Sequence, residues 1–141
     1  MNTSIVVAID GSEQSLQGIR FAAPLARAVG AQLELVYVSP PNLLLPSIYP
    51  EAHREVERAH AAQAADVLLR GRRVATELGV ASTGVRLTDG TADAVAELAN
   101  AERVYGVVVG ARGHNVVERV LLGSFADRLL QVCTRPVFLV R

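Results

Sequence analysis

The stretch that decides the fold is VVVGARG at residues 107–113, which is followed after nine further residues by GSFAD at residues 123–127. The run of valines predicts a buried strand, and the glycines after it predict a loop that leads into a new helix. Glycine removes the Cβ atoms that would keep an anion away from the main chain. Backbone N–H groups at the start of a helix favour anions. We therefore expect a phosphate-binding loop with Gly110, Gly113 and Gly123, to which Ser124 adds a hydroxyl donor.

The same residues have a second interpretation that needs no ligand. Ser124 and Asp127 have the spacing of a capping box, in which the serine side chain starts the helix. Each glycine could equally mark an ordinary turn. The sequence alone leaves both interpretations open.

Composition restricts the class of protein. The length suits a single domain over residues 1–141, and half of the residues are hydrophobic with a net charge of +0, which excludes a disordered tail and gives no basic excess for nucleic acid. Every basic residue except histidine is arginine. The absence of lysine excludes Schiff-base chemistry and the lysine of a P-loop. The single cysteine, Cys133, excludes an intrachain disulfide and is expected to be a small buried residue in the last helix.

The N-terminal sequence does not have the pattern of a targeting segment. Asp10 interrupts the first apolar run too early for a signal peptide, and no later run reaches the length of a membrane span. We therefore expect a soluble, cytoplasmic protein with neither membrane nor nucleic acid as a partner.

Short apolar runs and amphipathic segments alternate along the chain. The predicted strands cover residues 4–9, 33–38, 82–88, 103–109 and 137–140, and the predicted helices run from 12 to 30, 51 to 78, 92 to 101 and 124 to 133. Thr91 is expected to cap the third helix, Pro24 to kink the first, and residues 89–90 to form a turn. Such alternation predicts an α/β fold with an open parallel sheet and helices on both faces, which makes three layers.

Ligands of parallel sheets bind beyond the carboxyl ends of the strands, where the strand order reverses. The first predicted strand ends at Asp10, the second at Val38 and the fourth at Gly110. We therefore expect these three residues to face one crevice.

Two further segments allow more than one interpretation. Residues 39–50 contain four prolines around three consecutive leucines, which predicts a loop with an apolar tip. The loop could be a lid, a contact for a partner chain or a segment folded back on its own domain. His53, Glu57 and His60 lie on one side of the long helix, where an edge of the helix is a better interpretation than a metal site, since ligands from one straight helix seldom converge.

Three motifs carry a resemblance to a known family. VVAIDGS at residues 6–12 resembles the opening strand of the universal stress proteins, and LVYV at 35–38 resembles their second strand. The spacing G-x2-G-x9-G-S at 110–124 matches the nucleotide-binding pattern of the ATP-binding branch of that family. The segment 104–106 departs from the acidic-apolar sequence often found there.

The resemblance implies a Rossmann-like fold, similar to the adenine nucleotide alpha hydrolases, with strand order 3-2-1-4-5. It implies bound ATP, with Mg²⁺ or Mn²⁺ bridging phosphate oxygens rather than held by protein ligands. Asp10 would meet the adenosine part, and backbone groups of Val38 would meet the adenine. The residues implied in ATP binding are Ala8, Ile9, Asp10, Val38, Val109, Gly110, Arg112, Gly113, Gly123, Ser124 and Phe125. The family also implies a homodimer through the terminal strand, residues 137–140.

The leading functional hypothesis is a stress-response module without catalysis, which signals through nucleotide occupancy to an unknown partner protein. No convincing Ser/His/Asp set appears, and the only cation in the predicted loop is Arg112, whereas efficient hydrolysis needs a placed base and charge stabilisation. A slow ATPase is one alternative. The other is an interaction dimer that binds AMP or cyclic AMP, or no nucleotide. A dinucleotide site is disfavoured because the first strand leads to a single Gly11 rather than G-x-G-x-x-G.

Overall fold

The computed structural model describes residues 3–88, 91–111 and 123–141. Strands and helices alternate through these residues, so the predicted order of elements is confirmed. The strands are β1 (Ser4–Ile9), β2 (Gln32–Val38), β3 (Ser82–Leu87), β4 (Val104–Gly110) and β5 (Val137–Val140). The helices are α1 (Glu13–Val29), α2 (Pro50–Glu77), α3 (Ala92–Ala99) and α4 (Ser124–Val132). The turn predicted at residues 89–90 lies outside the described residues.

The five strands form one parallel sheet in the order β3-β2-β1-β4-β5, which confirms the predicted topology. The chain moves outward from β1 in one direction to β2 and β3, and then returns to the other side of β1 with β4 and β5. The strand order therefore reverses between β1 and β4. This is the position where a parallel sheet opens a crevice at the carboxyl ends of its strands.

The sheet has a hydrophobic core on each face. One core packs α1 and α2 against side chains such as Ile5, Val7 and Leu35, and the other packs α3 and α4 against Val6 and Val107. Odd and even positions of a strand point to opposite faces, so the central strands must be apolar at every position. This explains the uninterrupted apolar runs in the sequence.

The helix ends follow local sequence signals. Ser12 caps α1 by accepting a hydrogen bond from the Ser15 N–H at 3.2 Å, and Thr91 caps α3 in the same way. α2 begins at Pro50, one residue earlier than predicted, because proline is well suited to the first turn of a helix. α1 continues through Pro24, whose ring lies on the exposed side of the helix.

One irregularity of the sheet was not predicted. Ser4 pairs with Val104 and Ile5 with Gly106, so Tyr105 is an extra residue in β4 and forms a β-bulge. A Cβ atom on Gly106 would lie 3.0 Å from the Pro136 carbonyl oxygen, which explains why glycine stands beside β5. The segment that departs from the family pattern is therefore the bulged one.

The prediction for Cys133 needs a correction. α4 ends at Val132, so Cys133 is the residue after the helix rather than inside it, and it is half-buried. Its Sγ lies 3.6 Å from the Arg135 carbonyl oxygen, where the chain turns toward β5. Across the described ranges, no helix is long and apolar enough to span a bilayer.

Candidate functional site

Three strand ends meet at the carboxyl edge of the sheet. Ile9 of β1 pairs with Tyr37 of β2, and Val7 pairs with Val108 of β4. Asp10 and Val38 are the next residues of their strands, and Gly110 lies two residues beyond Val108. The register therefore brings Asp10, Val38 and Gly110 to the same edge, as the sequence predicts.

Asp10 is oriented by the turn that follows β1. Its Oδ1 accepts a hydrogen bond from the Ser12 N–H at 2.9 Å. Gly11 has a φ of 89°, in the left-handed region that glycine adopts without strain. The turn fixes the carboxylate at the mouth of the crevice while Ser12 starts α1.

Four of the predicted residues share the face covered by α3 and α4. Val109 is 5% exposed, and Ala8, Val38 and Phe125 are partly buried against the same core. Ile9 lies on the other face, because neighbouring residues of a strand alternate. The side chain of Ile9 packs against α2, so only its backbone reaches the crevice, whereas the resemblance places it in the nucleoside pocket.

The ends of the predicted phosphate loop are joined by a hydrogen bond. The Gly123 N–H donates to the Ala111 carbonyl oxygen at 3.0 Å, and the Ala111 N–H donates to the Val140 carbonyl oxygen at 2.9 Å. These two N–H groups are therefore used within the protein and are not available to an anion. The hydrogen bond between Gly123 and Ala111 holds the start of α4 against the end of β4.

The N-terminus of α4 shows that the capping-box interpretation is wrong. Gly123 is the N-cap residue and makes no side-chain cap, and Ser124 is the first helical residue, with an exposed side chain. The first hydrogen bond of the helix runs from the Asp127 N–H to the Gly123 carbonyl oxygen at 3.0 Å. The N–H groups of residues 124–126 therefore have no acceptor within the helix, and the Ser124 hydroxyl lies beside them.

Part of the predicted site cannot be placed. Arg112 and Gly113 lie outside the described residues, as does the rest of segment 112–122. The geometry of the site therefore comes from the strand ends, from Ala111 and from the start of α4.

A cleft beside Val38 was not predicted from the sequence. It has a volume of about 370 Å³ and is lined by Leu87, Thr88, Ala94, Glu97 and Leu98. Leu87 is the β3 partner of Val38, so the cleft lies on the β3 side of the end of β2. The sequence did not indicate this cleft, because its lining residues come from two separate elements and share no motif.

Two of the three residues considered as metal ligands, His53 and Glu57, have hydrogen-bond partners instead. The His53 Nδ1 atom lies 2.6 Å from the Leu44 carbonyl oxygen, and Glu57 accepts a hydrogen bond from Arg86 at 2.8 Å. Within the described ranges, no group of three or more His, Cys, Asp or Glu residues is placed to hold a metal ion. The contacts of His53 and Glu57 are those of side chains at the edge of a helix.

A charged pair lies at the opposite, amino edge of the sheet. Arg103 donates to Glu34 at 2.7 Å and to the Ser4 hydroxyl at 2.9 Å, and the Glu34 side chain is only 8% exposed. The hydrogen bond to Glu34, followed by its negative charge, raises the pKa of Arg103 above its ordinary value. The pair closes the far end of the sheet and takes no part in the crevice.

The model of the universal stress protein family matches residues 1–141. A universal stress protein of Bacillus subtilis is 27% identical over 148 residues, with all of both chains covered. One of Thermus aquaticus is 31% identical over 145 residues, again with all of both chains covered.

Solved structures show the same fold. Universal stress protein UspA from Lactobacillus plantarum has a TM-score of 0.84 at 22% identity, with 99% of this chain and 97% of that one covered. The universal stress protein from Archaeoglobus fulgidus in complex with dAMP has a TM-score of 0.75 at 20% identity, with coverage of 100% and 98%. A universal stress protein in complex with cAMP has a TM-score of 0.69 at 23% identity, with coverage of 99% and 97%. With the sheet order and the whole-length family match in agreement, this chain belongs to the universal stress protein family.

Proposed function

We propose that this protein is an ATP-binding stress-response module in which nucleotide occupancy, rather than turnover, is the signal passed to a partner protein. The observation that carries the proposal is the start of α4, where N–H groups without helical acceptors lie beside the Ser124 hydroxyl at the end of β4. Complexes of related structures with dAMP and cAMP support an adenine nucleotide as the ligand class.

The triphosphate is assigned from the glycine pattern at 110–124 and from the helix N-terminus. Several charge-assisted hydrogen bonds at about 1.5–3 kcal/mol each are sufficient for a micromolar complex. The oxygen ligands for Mg²⁺ or Mn²⁺ would come from the phosphates, since the backbone N–H groups of residues 124–126 are donors and cannot ligate a cation. The ion would neutralise phosphate charge.

We assign binding rather than catalysis because the acidic group at the crevice already has a structural role. Asp10 accepts the Ser12 N–H in the turn after β1, which holds it as a fixed acceptor for a ligand hydroxyl. Val38, at the end of β2, would offer backbone groups to the base, and the cleft at its β3 partner Leu87 supports space for a ring nearby.

Isothermal calorimetry with ATP, ADP, AMP and cyclic AMP, each with and without Mg²⁺, tests the proposal. We expect ATP with Mg²⁺ to bind most tightly, at micromolar concentration. A preference for AMP or cyclic AMP would favour the second candidate, which the dAMP and cAMP complexes of related structures support. Steady release of phosphate that Arg112→Ala abolishes, with binding retained, would favour a slow ATPase.

We also propose a homodimer formed through β5. This strand is an edge of the sheet, and Leu139 in it is 39% exposed. An open apolar edge strand needs cover in solution, and a second copy of the chain would supply it.

A further inference from the structure

The end of β2 is held in an unusual way where it reaches the crevice. Val38 pairs with Leu87, and the Ser39 N–H donates to the Leu87 carbonyl oxygen at 2.8 Å. The next two residues, Pro40 and Pro41, have no N–H group, so the backbone ladder cannot continue. Side chains must therefore fix the direction of the chain beyond Val38.

Arg86 supplies this fixation from the edge strand β3. Its Nε donates to the Ser39 hydroxyl at 2.7 Å, and its Nη2 donates to Glu57 of α2 at 2.8 Å. Ser39 is 1% exposed and the Arg86 side chain is 23% exposed. The planar guanidinium joins two acceptors at a fixed angle, which the point charge of a lysine cannot do.

The far part of the loop is attached to the same helix. The Asn42 Nδ2 donates to the His53 carbonyl oxygen at 2.9 Å, and the His53 ring lies 2.6 Å from the Leu44 carbonyl oxygen. The chain after Val38 is thus tied to α2 at two places, by Glu57 through Arg86 and by the first turn of the helix. Of these, the Arg86 contact is the nearer to Val38.

We propose that Arg86 is a positioning residue for base recognition, which holds the Val38 backbone at the angle needed to read adenine. This inference rests on the proposed function, because it assigns a role within the same site. Arg86 would act without touching the nucleotide, through the hydrogen bonds of its Nε to Ser39 and its Nη2 to Glu57. The consequence is that it affects discrimination between bases more than affinity for phosphate.

The test measures dissociation constants for ATP and GTP, by calorimetry and by competition, in the wild type and in Arg86→Met, Arg86→Lys and Ser39→Ala. The control is Arg20→Met, which removes an exposed ion pair between Arg20 and Glu13 of α1. Its N–O distance of 2.8 Å equals that of the Arg86–Glu57 pair. We expect the preference for ATP over GTP to fall about tenfold in Arg86→Met and Arg86→Lys, the effect of one well-placed hydrogen bond on a neighbouring group. The control should keep the preference of the wild type.

The outcomes separate this inference from the proposed function. Wild-type protein that binds no adenine nucleotide would overturn both. If the wild type prefers ATP and Arg86→Met weakens ATP and GTP equally, the role of Arg86 is structural only and the inference fails. Full preference in Arg86→Lys would also contradict it, because charge alone would then be sufficient. Ser39→Ala removes the Arg86–Ser39 hydrogen bond and leaves the Arg86–Glu57 pair. If Arg86→Met does not fold, a lower preference for ATP in Ser39→Ala supports the inference, and an unchanged preference contradicts it.

Discussion

At the residue scale, two glycines inside helices show how closely the helices approach the sheet. Gly71 of α2 has no space for a side chain, since an added Cβ would lie 2.8 Å from Ile9 Cδ1 and 3.1 Å from Leu35 Cδ1. Gly18 of α1 has ordinary contact distances instead, with the nearest atom, a Val108 methyl, at 3.5 Å. The same substitution should therefore have different effects at these two positions.

Gly18→Ala should stabilise the protein by about 0.5–1 kcal/mol, because alanine restricts the unfolded chain and favours helix. Gly71→Ala gains the same propensity but must displace the Cδ1 methyls of Ile9 and Leu35, so it should stabilise the protein less than Gly18→Ala does. Urea denaturation of both variants measures the difference. Equal stabilisation by the two substitutions would show that α2 is not packed closely on Ile9 and Leu35.

The position of Ser124 leads to a second prediction at this scale. Since Ser124 is the first helical residue and not the cap, Ser124→Ala should leave the thermal midpoint within about 1 °C of the wild type. Affinity for ATP should fall about tenfold through the loss of one charge-assisted hydrogen bond. A thermal scan tests the midpoint and calorimetry tests the affinity for ATP. A clearly lower midpoint in Ser124→Ala would show that the Ser124 side chain caps α4.

At the element scale, the connections between strands depend on contacts that the sequence does not show. The start of α4 is fixed to the end of β4 by the Gly123–Ala111 hydrogen bond, and the end of β2 is fixed to α2 through Arg86. The amino edge is held by Arg103, which joins Ser4 at the start of β1 to Glu34 in β2. Each contact fixes one end of the sheet.

Arg103→Met should destabilise the protein by about 2 kcal/mol, because Glu34 would stay buried without its cationic partner. The raised pKa of Arg103 means that the contribution of this pair is complete below the ordinary value of arginine and is lost only above the raised value. The difference in stability between wild type and variant should therefore be constant from about pH 7 to pH 10. Denaturation at several pH values tests this, and a difference that disappears by pH 9 would contradict it.

Some of these elements could be predicted and others could not. Apolar runs bounded by glycine and polar residues were sufficient for all five strands, and Thr91 was a recognisable cap. The bulge at Tyr105 depends on the register between β1 and β4, which are 100 residues apart, so no local pattern indicates it. Ser124 and Gly123 are both acceptable cap residues, and only the tertiary contact of Gly123 with Ala111 decides between them.

At the scale of the whole molecule, strand order explains why the candidate site is where it is. β1 and β4 are neighbours, but the helices that follow them lie on opposite faces. Their carboxyl ends therefore separate and leave a crevice, toward which Asp10, Val38 and the start of α4 are directed. The sequence predicted this convergence, whereas the side-chain direction of Ile9 and the cleft beside Val38 required the assembled sheet.

The free edge of β5 leads to a prediction about assembly. Leu139 alternates with Phe138 and Val140, and the Val140 carbonyl oxygen faces β4, so the backbone of Leu139 is directed to the open edge. Leu139→Arg should convert a dimer into a monomer, since burying an unpaired charge at the interface is costly. Leu69→Arg, at a similarly exposed leucine of α2, is the matched control. Light scattering measures the mass, and an unchanged mass in Leu139→Arg would contradict the proposed interface.

The central claim is that an adenine nucleotide binds at the carboxyl edge with its phosphates at the start of α4. The most direct measurement is an ATP titration of the ¹⁵N-labelled protein followed by NMR. We predict the largest shifts at the amides of residues 124–126, together with shifts at Asp10 and Val38. An unchanged spectrum, or shifts confined to other surfaces of the sheet, would contradict the claim.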